Sequence, residues 1–270
     1  MASKEQRRRQ LAREKYARQQ QRRTQQRTEA KRRNIVAGAV VTVVVAASAA
    51  YASAGVGGTK SAAGAAAATP SSAAPNPCAK AAPGFPGTKQ WKQAPAMAID
   101  TKANYTMDLQ TTCGGISLKL DAATAPHTVN SFAFLATQGF FDHTKCHRLT
   151  TQSIYVLQCG DPTGTGQGGP GYTLPDENLG AFGKKNAQDM VTYPAGTVAM
   201  ANRGPATGGS QFFLVYKDSP LSPNYTPFGR VGPAGLEVLQ KIAAAGESTG
   251  QGDGAPNATV VINKATVIRS

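Results

Sequence analysis

The chain has few of the residues that build metal centres. Only three histidines and four cysteines occur among its 270 residues. No two cysteines are spaced as C-x-x-C, the pair that is typical of structural zinc sites. Cys146, His147, Cys159 and His143 lie near one another in sequence, but they do not supply that pair. We therefore predict no metal site and no cofactor.

The chain also lacks a convincing dinucleotide-binding loop. Residues 164–169 read G-T-G-Q-G-G and satisfy the pattern G-x-G-x-x-G. A dinucleotide site needs a helix that begins at this loop. Because the next two residues are Pro170 and Gly171, such a helix is blocked. The match therefore predicts no nucleotide site.

Acidic residues are scarce at the start of the chain. Residues 1–33 carry 13 Lys or Arg and 3 Asp or Glu, so they supply +10 of the net charge of +14. The rest of the chain is only mildly basic, which gives no indication that its folded part binds nucleic acid. We interpret residues 1–34 as a basic cytoplasmic tail that flanks a membrane segment. The alternative is a patch that binds nucleic acid or anionic lipid.

Residues 35–54 contain no charged side chain and are rich in valine. Twenty helical residues span about 30 Å, the thickness of the hydrocarbon core of a bilayer. Because Arg32 and Arg33 precede this segment, the positive-inside rule places the N-terminus in the cytoplasm. We predict a single-pass transmembrane helix in the cell membrane, with the rest of the chain outside the cytoplasm. A cleaved signal peptide remains the alternative, since Ala50-Tyr51-Ala52 resembles a cleavage site.

Residues 55–96 are rich in Ala, Gly, Ser and Pro and have few bulky side chains. Such a segment has little apolar area to offset the entropy lost on ordering. We predict a disordered linker that tethers a folded domain at residues 97–270.

Many short strands and two distant helices are expected in that domain. The predicted strands cover residues 105–109, 115–120, 145–149, 155–158, 197–201, 211–216, 228–231 and 259–268. The predicted helices cover residues 126–138 and a segment that begins at Pro233. Residues 181–194 are interpreted as a loop. The pattern favours an antiparallel barrel over a parallel sheet.

Four motifs inside the domain resemble the signature of the cyclophilin family of peptidyl-prolyl cis-trans isomerases. They are Cys146-His147-Arg148-Leu149, Tyr155-Val156-Leu157-Gln158-Cys159-Gly160-Asp161, Met200-Ala201-Asn202-Arg203-Gly204-Pro205 and Gly209-Ser210-Gln211-Phe212-Phe213. The resemblance implies a mainly β fold, a closed eight-stranded antiparallel β-barrel capped by two α-helices. It also implies an isomerase that accelerates the folding of exported proteins at Xaa–Pro bonds. Its partners are then flexible or unfolded polypeptides that contain proline.

The resemblance also assigns roles to individual residues. Arg148 is the expected catalytic cation beside the prolyl nitrogen, and Gln158 is expected to brace it and to bind the substrate backbone. The remaining substrate-binding residues carried over from the family are Tyr155, Val156, Ala201, Asn202, Gln211, Phe213, Leu221 and Tyr225. Among them, Phe213 would form the floor of the proline pocket with Tyr155 and Val156, and Leu221 would form its wall.

Several residues depart from the family pattern. Two additional residues lie between Arg148 and Gln158, and Cys159 replaces a glycine. Tyr225 stands where many members have histidine, and Pro220 stands where cyclosporin-sensitive members have tryptophan. We predict an active monomer that binds cyclosporin A weakly or not at all. The alternative is a non-catalytic adaptor or chaperone that binds proline-containing peptides on the same scaffold.

Four cysteines in an exported domain favour disulfides. Cys146 and Cys159 lie on predicted neighbouring strands, so their Cα atoms can approach bridging distance. That pairing leaves Cys78 for Cys113. Four cysteines allow three connectivities, and the other two stay open at this point.

Overall fold

The structure, a computed structural model, describes residues 76–269. The predicted tail, the predicted transmembrane helix and the first part of the predicted linker lie outside these residues. Within residues 76–269, neither helix has the length and apolar character needed to cross a bilayer.

The described part consists mainly of short β-strands with two α-helices. In chain order the elements are β1 (Tyr105–Thr111), β2 (Gly114–Leu120), α1 (Pro126–Thr137), β3 (Thr144–Lys145), β4 (Arg148–Thr150), β5 (Val156–Cys159), β6 (Val191–Tyr193), β7 (Thr197–Met200), β8 (Phe212–Val215), β9 (Ser219–Leu221), β10 (Pro227–Val231), α2 (Pro233–Ala244), β11 (Asp253–Gly254) and β12 (Val261–Arg269). The predicted mainly β class with two helices is confirmed.

One sheet holds ten of these strands, in the order β11-β4-β5-β8-β7-β10-β2-β1-β12-β3, and β6 pairs with β9 in a second sheet. Every pairing is antiparallel. The strand count therefore differs from the expected eight. One reason is that the strand predicted at residues 145–149 is interrupted at Cys146 and His147. The N–H of Cys146 bonds to Val260 on one side, and that of His147 bonds to Gln158 on the other.

The first hairpin follows from alternation of apolar and polar residues. Met107 and Leu109 of β1 and Leu118 of β2 are buried, while the residues between them face outward or are half-buried. A period of two places every second side chain on one face of a strand. Gly114, at φ 126°, takes a backbone conformation at the turn that other residues avoid.

The two helices cover the sheet with apolar faces. Both begin at a proline, whose fixed φ suits the first helical turn and whose missing N–H costs nothing there. At α1 the carboxylate of Glu177 accepts bonds from the N–H groups of His127 and Thr128, at 3.0 and 2.9 Å. An acceptor at this end satisfies donors that have no partner inside the helix.

The main core lies between the sheet and the helices, and aromatic rings fill its centre. The ring of Phe132 on α1 lies 4.6 Å from that of Phe228 and 5.5 Å from that of Phe212, between centroids. All three side chains are fully buried. Rings at these separations add to the burial of apolar area, so the helix is fixed against the sheet at several points.

The segment at residues 76–96 packs on the domain, so the prediction of a disordered linker is wrong for these residues. A disulfide joins Cys78 to Cys113, and the N–H of Ala79 donates to the carbonyl of Thr112 at 2.8 Å. The ring of Trp91 lies 5.1 Å from that of Phe134. The linker composition was misleading because one disulfide, one tryptophan and a few main-chain hydrogen bonds hold a segment that is otherwise poor in apolar residues.

The interpretation of residues 181–194 as a loop is wrong at their end. Val191–Tyr193 forms β6 and pairs with β9. The strand is only three residues long, so its alternation is too short to be recognised in the sequence. Its buried residues Val191 and Tyr193 nevertheless belong to a second, smaller apolar cluster.

Candidate functional site

Four neighbouring strands place a row of functional side chains on the outer face of the sheet. Arg148 on β4 pairs with Gln158 on β5, Gln158 pairs with Phe213 on β8, and Phe213 pairs with Ala199 on β7. Directly opposed residues in an antiparallel sheet point to the same face. The pairing register therefore brings together residues that are far apart in the chain.

The polar end of this row is a continuous hydrogen-bond network. The guanidinium of Arg148 donates to the side-chain oxygen of Gln158 at 3.2 Å. The amide of Gln158 donates to Gln211 at 2.9 Å, and Gln211 donates to the carbonyl of Gly168 at 2.9 Å. Each side-chain amide thus has a fixed orientation. The predicted bracing of Arg148 by Gln158 matches this geometry.

A carboxylate that no motif indicated completes the network. Asp253 on β11 accepts bonds from Nε and Nη2 of Arg148, at 2.7 and 2.8 Å. The hydrogen bond with Asp253 raises the pKa of Arg148 above its ordinary value, against the opposing effect of burial. The guanidinium is therefore a permanent positive charge.

The row borders a pocket with a volume of about 950 Å³, and Arg148 and Gln158 line its polar end. Val156, Phe213, Leu221 and Tyr225 line its apolar end. The ring of Tyr225 meets that of Phe213 edge-on, with centroids 5.4 Å apart. The pocket thus offers an apolar floor beside a fixed cation.

The pocket residues Val156 and Phe213 belong to the second apolar cluster, which also contains Tyr193. Tyr193, almost fully buried, donates its hydroxyl to the carbonyl of Tyr225 at 2.9 Å. Burial raises the pKa of Tyr193 to about 12, so the hydroxyl keeps its proton at neutral pH. The small sheet of β6 and β9 therefore fixes the segment that carries Tyr225.

The predicted peptide anchors lie at the pocket edge. Ala201 and Asn202 both line the pocket. The N–H of Ala201 donates to the carbonyl of Gln211 at 2.9 Å, and the side-chain amide of Asn202 donates to the carbonyl of Asn224 at 2.6 Å. These bonds hold the strand edge in a defined position.

Tyr155 is the one predicted site residue that the structure does not bring to the pocket. Its ring packs edge-on against that of Tyr216, with centroids 5.9 Å apart, and Lys217 lies 4.5 Å from its ring centroid. Alternation explains the difference, because the next residue, Val156, points into the pocket. Ile154 lines the pocket instead.

Both predicted disulfides are confirmed. Cys146 pairs with Cys159, and Cys78 pairs with Cys113. The first bridge joins β5 to the segment that leads into β4, next to Arg148 and Gln158 in sequence. It therefore fixes the two strands that carry the polar end of the site.

His147 and the glycine-rich loop complete the rim of the pocket. Burial lowers the pKa of His147, which favours a neutral imidazole. The carboxylate of Asp161 accepts bonds from the N–H groups of Thr163 and Gly168 at 2.8 and 3.0 Å. Burial acts to raise the pKa of Asp161, but the hydrogen bond from the Thr163 hydroxyl, at 2.8 Å, and these backbone bonds outweigh it, so the net shift of the pKa is downward. No helix begins at residues 164–171, and residues 165–171 line one side of the pocket.

Three contributing residues could not be found from the sequence. Asp253 meets Arg148 across 105 positions of the chain, and no local pattern distinguishes it from other turn carboxylates. Tyr193 lies on a strand too short to be recognised. Ile154 lies in the insertion between two motifs, where the family pattern offers no equivalent.

Comparisons with known proteins agree on one family. The sequence profile described as "Cyclophilin type peptidyl-prolyl cis-trans isomerase/CLD" matches residues 106–267. A protein from Mycobacterium leprae named "Probable peptidyl-prolyl cis-trans isomerase B" is 51% identical over 164 residues, which are 59% of this chain and 56% of that protein. The chain spans about half the length of the mycobacterial relatives that it matches, 56% and 53%.

Shorter relatives match over most of their length. "Peptidyl-prolyl cis-trans isomerase B" of Bacillus subtilis is 40% identical over 129 residues, 47% of this chain and 82% of that protein. A crystal structure of a cyclophilin type peptidyl-prolyl cis-trans isomerase from Cryptosporidium parvum has 25% identity and a TM-score of 0.50, and covers 62% of this chain and 99% of that one. The fold and the site define a mainly β protein with an apolar pocket beside a fixed cation. The chain belongs to the cyclophilin family.

Proposed function

We propose that the chain is a peptidyl-prolyl cis-trans isomerase that accelerates the folding of exported proteins at Xaa–Pro bonds. The observation that carries this proposal is the placement of Arg148 beside an apolar pocket whose floor is Phe213. The names of the relatives point to the same activity.

The reaction needs a donor beside the prolyl nitrogen, a pocket for the proline ring and an anchor for the flanking peptide. Rotation about the C–N bond crosses a barrier of about 18–20 kcal/mol because resonance gives that bond double-bond character. A donor beside the prolyl nitrogen favours the pyramidal nitrogen of the twisted state and weakens resonance. Arg148 supplies that donor, Phe213 receives the proline ring, and Asn202 anchors the flanking peptide. A charge that is already in place stabilises the transition state without reorganisation.

A proline-isomerisation assay on a tetrapeptide series tests the proposal, using the full chain with its disulfides intact. The wild-type chain accelerates isomerisation, and Arg148→Ala lowers kcat/KM about 100-fold. Arg269→Ala is the matched control, because Arg269 also pairs with an aspartate and lies outside the pocket. Its activity equals that of the wild type. A kcat/KM of Arg148→Ala equal to that of the wild type contradicts the assignment of the cation.

A non-catalytic adaptor or chaperone is the second candidate, and the pairing of Arg148 with Asp253 favours it. A carboxylate this close offsets part of the positive charge that the reaction needs. Absence of turnover in the wild type, with retained binding of a proline peptide by calorimetry, identifies the adaptor.

We also propose that the ten-stranded sheet closes into a barrel. The bonds from Cys146 to Val260 and from His147 to Gln158 support closure, because they tie one chain segment to β12 and to β5. Native-state hydrogen exchange tests it: protection of both N–H groups equal to that of β8 supports closure, and rapid exchange of either one contradicts it.

The chain is also anchored in the cell membrane by residues 35–54, with its tail in the cytoplasm and its domain outside. The charge-free segment after Arg32 and Arg33 supports this orientation. Protease treatment of intact cells expressing the tagged full chain removes the domain and spares the tail. Recovery of a secreted chain that begins near Ala52 contradicts the anchor.

The domain is monomeric, does not bind nucleic acid, and binds cyclosporin A weakly or not at all. Pro220, exposed and paired with Thr192 at the edge of the small sheet, has no N–H to offer a ligand. Calorimetric titration tests the cyclosporin proposal, and a low-nanomolar Kd overturns it. Light scattering of the detergent-solubilised chain tests the monomer.

A further inference from the structure

Asp253 holds the guanidinium of Arg148 from the side opposite to Gln158. Its two carboxylate oxygens accept from Nε and Nη2, at 2.7 and 2.8 Å, while Gln158 accepts from Nη1 at 3.2 Å. A guanidinium has five N–H groups in a planar fork. Within residues 76–269 these contacts use three of them, so one on Nη1 and one on Nη2 are left for a bound peptide.

The carboxylate is itself held by an ordered turn. Asp253 pairs with Thr150 in the β11–β4 ladder. The turn before it is organised by Glu247, 7% exposed, whose carboxylate accepts from the N–H of Thr249 at 2.6 Å and from that of Gly252 at 2.7 Å. The hydroxyl of Thr249 donates to the same carboxylate at 2.7 Å and lies 3.2 Å from the carbonyl oxygen of Asp253. Buried and fully bonded groups of this kind rigidify a turn.

A second ion pair, between Asp100 and Arg269, is an ordinary surface contact and can be compared with the pair of Asp253 and Arg148. Arg269 donates through Nη2 alone to Asp100, at 2.6 Å, and their side chains are 61% and 44% exposed. Arg148 and Asp253 make two parallel bonds, and their side chains are 38% and 54% exposed. Two parallel bonds fix the plane of the guanidinium, whereas a single bond leaves it free to rotate.

We propose that Asp253 is a positioning residue that presets the plane of Arg148 for the prolyl nitrogen. The proposal rests on the proposed isomerase function. Asp253 lines up the two remaining N–H groups before substrate arrives, so the long side chain has less freedom to lose in the transition state. The neutralising effect of the carboxylate is the smaller one. More than half of the Asp253 side chain is in contact with water, which screens its charge.

The test compares Asp253→Asn with Asp100→Asn in the full chain, beside Arg148→Ala. Asparagine keeps the shape of the side chain but replaces one acceptor with a donor, so the two-bond contact is lost. We expect Asp253→Asn to lower kcat about tenfold with KM within about twofold of wild type, as for an interaction needed in the transition state. Asp100→Asn leaves both constants unchanged.

A spectroscopic readout separates positioning from stability. The Nε–H resonance of Arg148, assigned by its absence in Arg148→Ala, is protected from exchange in the wild type and in Asp100→Asn. It loses protection in Asp253→Asn, while the Tm of the two asparagine variants differs by less than about 4 °C, roughly the shift that 1 kcal/mol causes. The two variants therefore differ at the guanidinium and not in overall folding.

Three results overturn the proposal. The first is a kcat of Asp253→Asn equal to that of Asp100→Asn. The second is a kcat of Asp253→Asn higher than that of Asp100→Asn, which would mean that neutralisation of Arg148 outweighs its positioning. The third is a loss of activity that follows the loss of Tm in both variants. If the wild type does not turn over, the proposed function fails separately. In that case the affinity for a proline peptide tests whether Asp253 positions Arg148, because positioning requires weaker binding by Asp253→Asn than by Asp100→Asn.

Discussion

The two faces of β4, β5, β8 and β7 are built from alternate residues of the same strands, but one face forms part of the core and the other carries the candidate site. The inner row is Leu149, Leu157, Leu214 and Val198, directly paired across the sheet and buried in the main core. One residue away on each strand lies the outer row, Arg148, Gln158, Phe213 and Ala199.

This difference shows that one sheet can carry stabilising residues on one face and functional residues on the other. The inner row is aliphatic and buried in the main core, so its contribution is apolar area removed from water. The outer row combines a charge, an amide and an aromatic ring, and its apolar residues Phe213 and Ala199 belong to the smaller apolar cluster. Because the period of a strand is two, a substitution in one row leaves the other row in place.

The largest expected effect comes from removing an inner side chain. Leu214→Ala leaves a cavity at a position with 0% exposure and lowers the free energy of unfolding by about 3–5 kcal/mol. Chemical denaturation measures this loss. The kcat of the folded fraction at low temperature stays near the wild-type value. A kcat that falls with stability would show that the two faces are not independent.

Loss of the bridge between β5 and the segment before β4 is next. Replacing Cys146 and Cys159 by serine opens a link across 13 positions and lowers the free energy of unfolding by about 3 kcal/mol. It also lowers kcat, because the bridge adjoins Arg148 and Gln158. The matched control replaces Cys78 and Cys113, which lowers stability but not kcat. Equal kcat in both double variants contradicts this reading.

An outer polar substitution is expected to act on activity alone. Gln158→Ala breaks the link from Arg148 to Gln211 and lowers kcat/KM about tenfold, the effect of losing one hydrogen bond to a charged group. Its free energy of unfolding changes by less than about 1 kcal/mol, since Gln158 is half-buried and borders the pocket. Parallel assays of denaturation and turnover measure both. A large loss of stability would place Gln158 with the inner row.

The smallest effect concerns two buried tyrosines, Tyr193 in the smaller cluster and Tyr216 in the main core. Burial raises the pKa values of Tyr193 and Tyr216 to about 12, whereas an unfolded tyrosine ionises near pH 10. Below pH 10 both states are protonated and stability does not depend on these groups. As pH rises from about 10 to 12 the unfolded state ionises first, so stability falls.

Tyr193→Phe tests this dependence. It removes one of the two groups and lowers the pH sensitivity of unfolding between pH 10 and 12. At neutral pH it costs about 1 kcal/mol, through the lost bond to the carbonyl of Tyr225. Urea titrations at several pH values measure both quantities. An unchanged alkaline slope contradicts the assignment.

Local patterns in the sequence predicted the parts of the fold that depend on neighbours. Alternation located the β1–β2 hairpin, and proline followed by spaced apolar residues located α1. The four motifs located most of the pocket, including Arg148, Gln158 and Phe213. Each of these features depends on a continuous stretch of chain, so it can be predicted without knowledge of the tertiary structure.

Apart from the disulfide between Cys78 and Cys113, the contacts between distant segments could not be predicted. Asp253 reaches Arg148 only because β11 adds to the edge of β4, a pairing that no short pattern encodes. Tyr155 was placed in the pocket by resemblance, although alternation with Val156 directs it away. The linker composition hid Trp91, whose contacts with Phe134 and Phe140 depend on how the whole segment is docked.

The most direct test of the account separates turnover from binding in Arg148→Ala. Exchange NMR on a proline tetrapeptide measures the isomerisation rate on the protein and the peptide Kd in one experiment, with Arg269→Ala as control. A cation that acts in the transition state predicts a rate about 100-fold lower and a Kd within about threefold of wild type. An unchanged rate, or a Kd that weakens as much as the rate falls, would contradict the account.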